Sequence, residues 1–245
     1  MITLSAGHYG KGTGAVDLMD EGSEVQAVVE QLAKRLMVKH IQTNVIIDRV
    51  SKSQKQNLTY LVHQHNQTNR QLDVSIHFNA SKERTEAGIG TEVLYVNPAL
   101  QLLAENMSKA IATAGSFKNR GAKKRTDLAI LNKTTAPAIL IELCFVNSTE
   151  DVLLYRTHQS KIFDAIVQVL EDSIQPFSLP FSQPALKQRV EMIFANKELV
   201  RKQLQQGIEE GAFQQVWLEK FTNGELTLLD YLGCTLLQFY KRNDK

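Results

Sequence analysis

Two histidines and two glutamates are placed where side chains can meet and do chemistry. His8 lies in Gly7–Gly14, a loop with four glycines in eight residues, which lets backbone approach a ligand closely. Glu21 stands at the start of a helix-patterned segment, His77 near the end of the strand-like run Leu72–Ala80, and Glu142 inside the apolar run Ala138–Val146. Two imidazoles and one carboxylate are a donor set that holds zinc with a fourth position open. Zinc so held ionises a water near neutral pH and polarises a carbonyl, which is hydrolytic chemistry. Such a site also needs a proton carrier that is not a ligand, and Glu142 is the candidate. A carboxylate in a run buried on both faces loses hydration, a cost of several kcal/mol unless compensated. Each residue also has a plainer reading. His8 and His77 can be packing residues, Glu21 a first-turn acid favoured by the helix dipole, and Glu142 a buried acid paired with a base.

The surrounding pattern predicts the elements that would hold these residues. Ile2–Ala6, Asn44–Val50, Leu72–Ala80, Gly88–Val96 and Ala138–Val146 read as strands. Between them, Val25, Val28, Val29, Leu32 and Leu36 repeat at helical spacing, Leu58–Asn66 reads as a helix, and Leu100–Ala114 carries Leu102, Leu103, Met107 and Ile111 inward. Glu150–Leu170 is a long helix with Val152, Leu153, Ile162, Ile166, Val169 and Leu170 toward the sheet. Arg120–Arg125 reads as a basic loop before Leu128–Leu131. Strands alternating with helices predict an α/β fold, a largely parallel sheet of about six strands with helices on both faces. His8, Glu21 and His77 can then share one rim of the sheet. Glu21 falls on the apolar stripe of its helix; Glu24, nearer the side, is a rival third ligand. His63 and His65, two apart on a helix, cannot share a face and read as solvated or packing residues.

The catalytic unit is expected to span residues 1–173, followed by a linker at 174–184 that holds three of the five prolines. Residues 185–245 read as a small helical unit for cell-wall binding or oligomerisation, with one stripe through Val190, Ile193, Leu199, Leu204 and Ile208. A second runs through Val216, Trp217 and Phe221, and a third through Leu226, Leu229, Leu232, Leu236 and Phe239. The aromatics Phe213, Trp217, Phe221, Tyr231, Phe239 and Tyr240 fall at helical spacing and read as core rather than sugar-stacking groups. A net charge of +2 over 245 residues, with no basic stripe, gives no case for nucleic acid. Two distant cysteines, Cys144 and Cys234, make neither a disulfide framework nor a thiolate zinc site. The first residues have neither the charge nor the apolar run of a signal peptide, so cytoplasmic synthesis is expected.

The motifs resemble the zinc-dependent N-acetylmuramoyl-L-alanine amidases of the amidase type 3 family. The residues that carry the likeness are Ser5-Ala-Gly-His-Tyr-Gly10, Asp20-Glu21, Ser75-Ile-His-Phe-Asn-Ala80, Gly88-Ile-Gly-Thr-Glu-Val-Leu-Tyr95 and Leu140-Ile-Glu-Leu-Cys-Phe-Val-Asn147. Arg120-Gly121 and Pro137 resemble the approach to the catalytic strand. The resemblance implies zinc (Zn2+) held by His8, Glu21 and His77, Glu142 as the catalytic residue, and cleavage of the amide between the lactyl group of muramic acid and L-alanine. It favours Glu21 over Glu24. Tyr9 and Cys144 replace glycines usual in the family, near the groove but at none of the ligand positions. Asn79, Arg120 and Lys123 are candidate substrate contacts, the cations facing stem-peptide carboxylates. With no signal-peptide pattern and a short C-terminal unit, such an amidase is expected to be a phage or prophage endolysin that acts on peptidoglycan after release through a holin-like pore, with a homodimer through the C-terminal helices as a further expectation. Two rival readings are another zinc-dependent peptidase and a non-catalytic wall-binding protein on the same scaffold.

Overall fold

The computed structural model describes residues 1–174 and 184–243, without the side chains of 184–187, 229 and 240. The chain divides into two compact units, Met1–Pro176 and Phe177–Lys245. The first is built on six strands: β1 (Ile2–Ala6), β2 (Thr43–Ile46), β3 (Leu72–Asn79), β4 (Thr91–Tyr95), β5 (Asn119–Lys124) and β6 (Ala138–Phe145). They lie in the order β2-β1-β3-β6-β4-β5. The first four in that order are parallel, β4 is antiparallel to β6, and β5 is parallel to β4.

The two faces of this sheet are unlike. Alternation along each strand sends Ile2, Leu4, Ala6, Val74, Ile76, Phe78, Val93, Ile139, Ile141 and Leu143 to one side. There they pack against α1 (Glu21–Val38), α3 (Gln101–Gly115) and α5 (Thr149–Ile174), which supply the main core. The other face presents Thr3, Ser5, Asp73, Ser75 and His77 along with Leu94, Ala138 and Leu140. It is covered by the shorter α2 (Gln54–Asn66) and α4 (Ala129–Lys133), through Leu61, Ile130 and Leu131. A sheet sealed on one face and only half covered on the other leaves room for a site on the second.

Several expectations change in detail. Asn119–Lys124 is an edge strand, not a loop. Its half-exposed side chains and charged residues suit an edge, where lysines discourage further strand pairing. Leu128–Leu131 enters the short helix α4. Helix α2 starts at Gln54, earlier than expected, because Ser53 caps it by accepting from the Gln56 amide. Leu102 and Leu153 are exposed; Leu102 lies well round the helix from Met107, and Leu153 half a turn from Ile162, so neither reaches the core.

Residues 175–183 of the expected linker lie outside the described residues; Ile174 ends α5 and Pro184 begins α6 (Pro184–Ala195). Three helices follow, α7 (Lys197–Glu209), α8 (Val216–Thr222) and α9 (Leu228–Asn243). Their core is Val200, Leu204, Leu226, Tyr231 and Cys234, with Phe194, Phe213, Trp217 and Phe221 packed on it. Most of the aromatics are therefore structural here. The expected stripes are reset: Asn196 breaks the first and caps α7, so Ile193 and Leu199 face solvent. On α9, Leu236 and Phe239 are exposed while Tyr231, Cys234 and Gln238 are buried. Among the described residues no helix is long and apolar enough to cross a membrane.

Candidate metal centre

The ends of β1 and β3 and the start of α1 bring three donors together. His8 Nε2 lies 3.0 Å from Glu21 Oε1, and His77 Nδ1 lies 3.2 Å from the same oxygen. The ligand atoms of His8, Glu21 and His77 all lie within 4.8 Å of one another. The rings of His8 and His77 meet edge to face with centroids 5.0 Å apart. Glu21 is buried, and its other contacts are backbone amides: Phe78 N donates to Oε1 at 2.9 Å and Ala15 N to Oε2 at 2.7 Å. Burial works against its charge, but hydrogen bonds from His77 and His8 and their positive potential hold the carboxyl well below the usual range. His77 is shifted down, first by burial and against the pull of Glu21.

Glycines make this proximity possible. A Cβ on Gly7 would run into the His77 ring, and one on Gly14 would strike Glu21 Oε2 and His8 Nε2. Gly14 also has φ +76°, a conformation that L side chains rarely adopt. Asp20 caps α1 by accepting from Ser23 N at 2.8 Å and ties down the loop through Gly12 N at 2.7 Å. Two imidazoles and one carboxylate, the carboxylate held by backbone amides, converge on a common point and fit a zinc ion in donor chemistry and in number. Glu24 lies elsewhere. It accepts from the Tyr155 hydroxyl at 2.7 Å and from Gln159 Nε2 at 3.3 Å, across the sealed face of the sheet.

Glu142 stands beside His77 in the β3–β6 register, so the two side chains share the half-covered face. Its Oε2 is buried with no hydrogen-bond partner, an arrangement that calls for a group from outside the chain. Burial, then the charges of Glu21 and Glu92, push its carboxyl up to about 8, with Arg125 pulling the other way.

Glu92 has no counterpart among the expected site residues. It is directly opposite Glu142 in the β4–β6 ladder and is 5 % exposed. Three of the expected contacts converge on it: Arg120 Nε at 2.6 Å, Lys123 Nζ at 2.5 Å and Asn79 Nδ2 at 3.2 Å. Arg120 also stacks on the Phe145 ring at 5.1 Å. Burial raises the Glu92 carboxyl, but hydrogen bonds from Lys123 and Arg120 outweigh it and leave the group shifted down. The signal in the sequence was the one Glu142 gave, a lone acid in an apolar strand, here before Val93-Leu94-Tyr95.

Residues 2–172 match the model of the N-acetylmuramoyl-L-alanine amidase family, and the chain belongs to that family. An uncharacterised protein of Clostridium perfringens (strain 13 / Type A) is 30% identical over 184 residues, which are 71% of this chain and 54% of that protein. The chain spans about half the length of the curated relatives it matches. Among solved structures, the catalytic domain of the CD27L endolysin, described as targeting Clostridia difficile, aligns with a TM-score of 0.63 at 27% identity, covering 70% of this chain and 96% of that one. The N-acetylmuramoyl-L-alanine amidase AmiC2 of Nostoc punctiforme aligns at 0.61 and 26%, covering 71% and 97%.

Proposed function

We propose that the chain is a zinc-dependent N-acetylmuramoyl-L-alanine amidase that hydrolyses the amide between the lactyl carbonyl of muramic acid and L-alanine in peptidoglycan. The observation that carries this reading is the convergence of His8, Glu21 and His77, with Glu142 beside His77 and its Oε2 unpartnered. Family membership and the likeness to an amidase and an endolysin catalytic domain support it.

In this mechanism His8, Glu21 and His77 are the ligands. Zinc bound there supplies a Lewis acid for the lactyl carbonyl and lowers the pKa of the attacking water. Glu142 takes the proton that the water loses as its oxygen bonds to the carbonyl carbon. It then delivers that proton to the alanine nitrogen as the C–N bond breaks, so its own protonation is restored. The raised proton affinity of Glu142 suits a group that must both accept and donate near neutral pH. Asn79, Arg120 and Lys123, held in place by Glu92, contact the substrate on the β5 side. The endolysin likeness supports placing the reaction in wall lysis.

The test is mass spectrometry of digested peptidoglycan, with new L-alanine N-termini as the expected product. Chelation should abolish the reaction, and Glu142→Gln should slow it by about 10²- to 10⁴-fold. Full activity in the Gln variant would falsify the assigned role.

A further inference from the structure

The half-covered face of the sheet is open between α2 and α4. A cleft of about 530 Å³ reaches His8 and His77 there, walled by Leu58, Leu61, Val62 and Ile130 over a floor that includes Ser75 and Leu140. A second, outer hollow between the same helices shares Leu58, Val62, Ala129 and Lys133 with it, so the two are continuous. Charge is distributed unevenly along this path. Near the histidines the wall is apolar, and the one carboxylate lining the inner cleft, Asp127, is taken by Arg125 at 2.7 Å. The outer hollow is lined by Lys55, Lys133 and His63 and by no acid. Neither lysine has a carboxylate partner among the described residues.

On the other flank of Glu142, by contrast, Arg120 and Lys123 share Glu92, which cancels half of their charge and leaves N–H groups as donors. The two halves of the proposed substrate differ in the same way. The glycan is uncharged, rich in hydroxyl and acetamido groups. The peptide begins with small, neutral L-alanine and continues with an acidic residue. We propose that the peptide half runs from the scissile bond into the α2–α4 cleft, with alanine against the apolar wall and the carboxylate of the second residue read by Lys133 and Lys55. The cleft is thus a subsite for a peptide of the pattern neutral-then-anionic, and it fixes the direction in which the substrate lies across the metal centre. This inference rests on the proposed amidase reaction.

The experiment compares two peptidoglycan preparations, one whose second stem residue carries a free carboxylate and one in which that group is amidated. The intact chain should favour the free acid by about fivefold in kcat/KM, expressed mainly in KM, the size expected of a solvated charge pair. Lys55→Met with Lys133→Met should bring that ratio to about one. Val62→Trp, which narrows the cleft, should raise KM for both preparations. Equal cleavage of both by the unaltered chain, or a preference that survives the double substitution, overturns the subsite. Cleavage of neither, or release of a different bond, overturns the amidase reading instead.

Discussion

At the scale of single residues, the candidate ligands were legible because each stood out by type: an imidazole at a strand end, an acid at a helix start, an acid in an apolar strand. In the first helical turn the apolar stripe and the family resemblance favour Glu21 over Glu24, but the partners of the two carboxylates are not legible in sequence. Glu21 and Glu24 are nearly one turn apart, and the choice is made by contacts far away in the chain. Glu21 receives the Phe78 and Ala15 amides, whereas Glu24 receives the Tyr155 hydroxyl. We therefore expect Glu24→Ala to retain about one equivalent of zinc per chain by metal analysis, and Glu21→Ala to lose it. Glu92 escaped notice because a lone acid in a strand does not reveal its partners. Only the β4–β6 register and the β5 edge place it between Glu142 and two cations.

At the scale of elements, the strands and most helices follow from periodicity, while their ends follow from caps and edges that periodicity ignores. The junction of α2 with β3 is an example. The helical pattern marked His65 as half of an ill-matched histidine pair. In the fold it is fully buried, with Nδ1 2.7 Å from Asp73 Oδ1. Arg70 grips the same carboxylate through Nε and Nη2, both at 2.8 Å, and reaches back to Asn66 at the end of α2. Burial raises the Asp73 carboxyl, but bonds from His65 and then Arg70 prevail and lower it below its ordinary value of 3.8. A depressed acid contributes stability that is present above its unfolded value and lost as pH falls through its folded one. The acid limb of the stability curve therefore lies below pH 3.8 for this group. Asp73→Asn strands a buried guanidinium and should cost about 3–5 kcal/mol at neutral pH. Urea unfolding measured across pH should show the variant with a flatter acid limb. A variant as stable as the parent at pH 7 would remove the tie between α2 and β3.

At the scale of the whole molecule, composition and alternation sufficed for an α/β sheet with a helical unit after it. They did not reveal that β4 and β5 run against the other four strands, since a reversed strand has the same apolar pattern as a parallel one. The first unit holds its own core, through Ile2, Leu32, Ile76, Met107, Ile141 and Ile166, and the second a separate one around Val200 and Tyr231. A chain ending at residue 176 should accordingly unfold cooperatively and keep its turnover of small wall fragments. Of the two expected roles of the helical unit, wall binding requires that this shortened chain lose retention on intact sacculi in a pelleting assay, and self-association that its retention be unchanged. The reversal of β4 has a separate consequence, for how such a protein can change over time. Because β4 enters the sheet beside the rim where β3 leaves it, the segment from 80 to 90 has no layer to cross. It is pinned by Asn147 to Ser81 and by Asp151 to Gly90, on the same rim as His77 and Glu142. From Thr85 to Gly90 it is bonded to Ser148, Glu150 and Asp151 at the start of α5, so insertions at Lys82–Arg84 can remodel what approaches the metal centre while the strand pairs and those bonds to α5 stay as they are. This stretch is therefore where the lineage can vary its diet without rebuilding its frame.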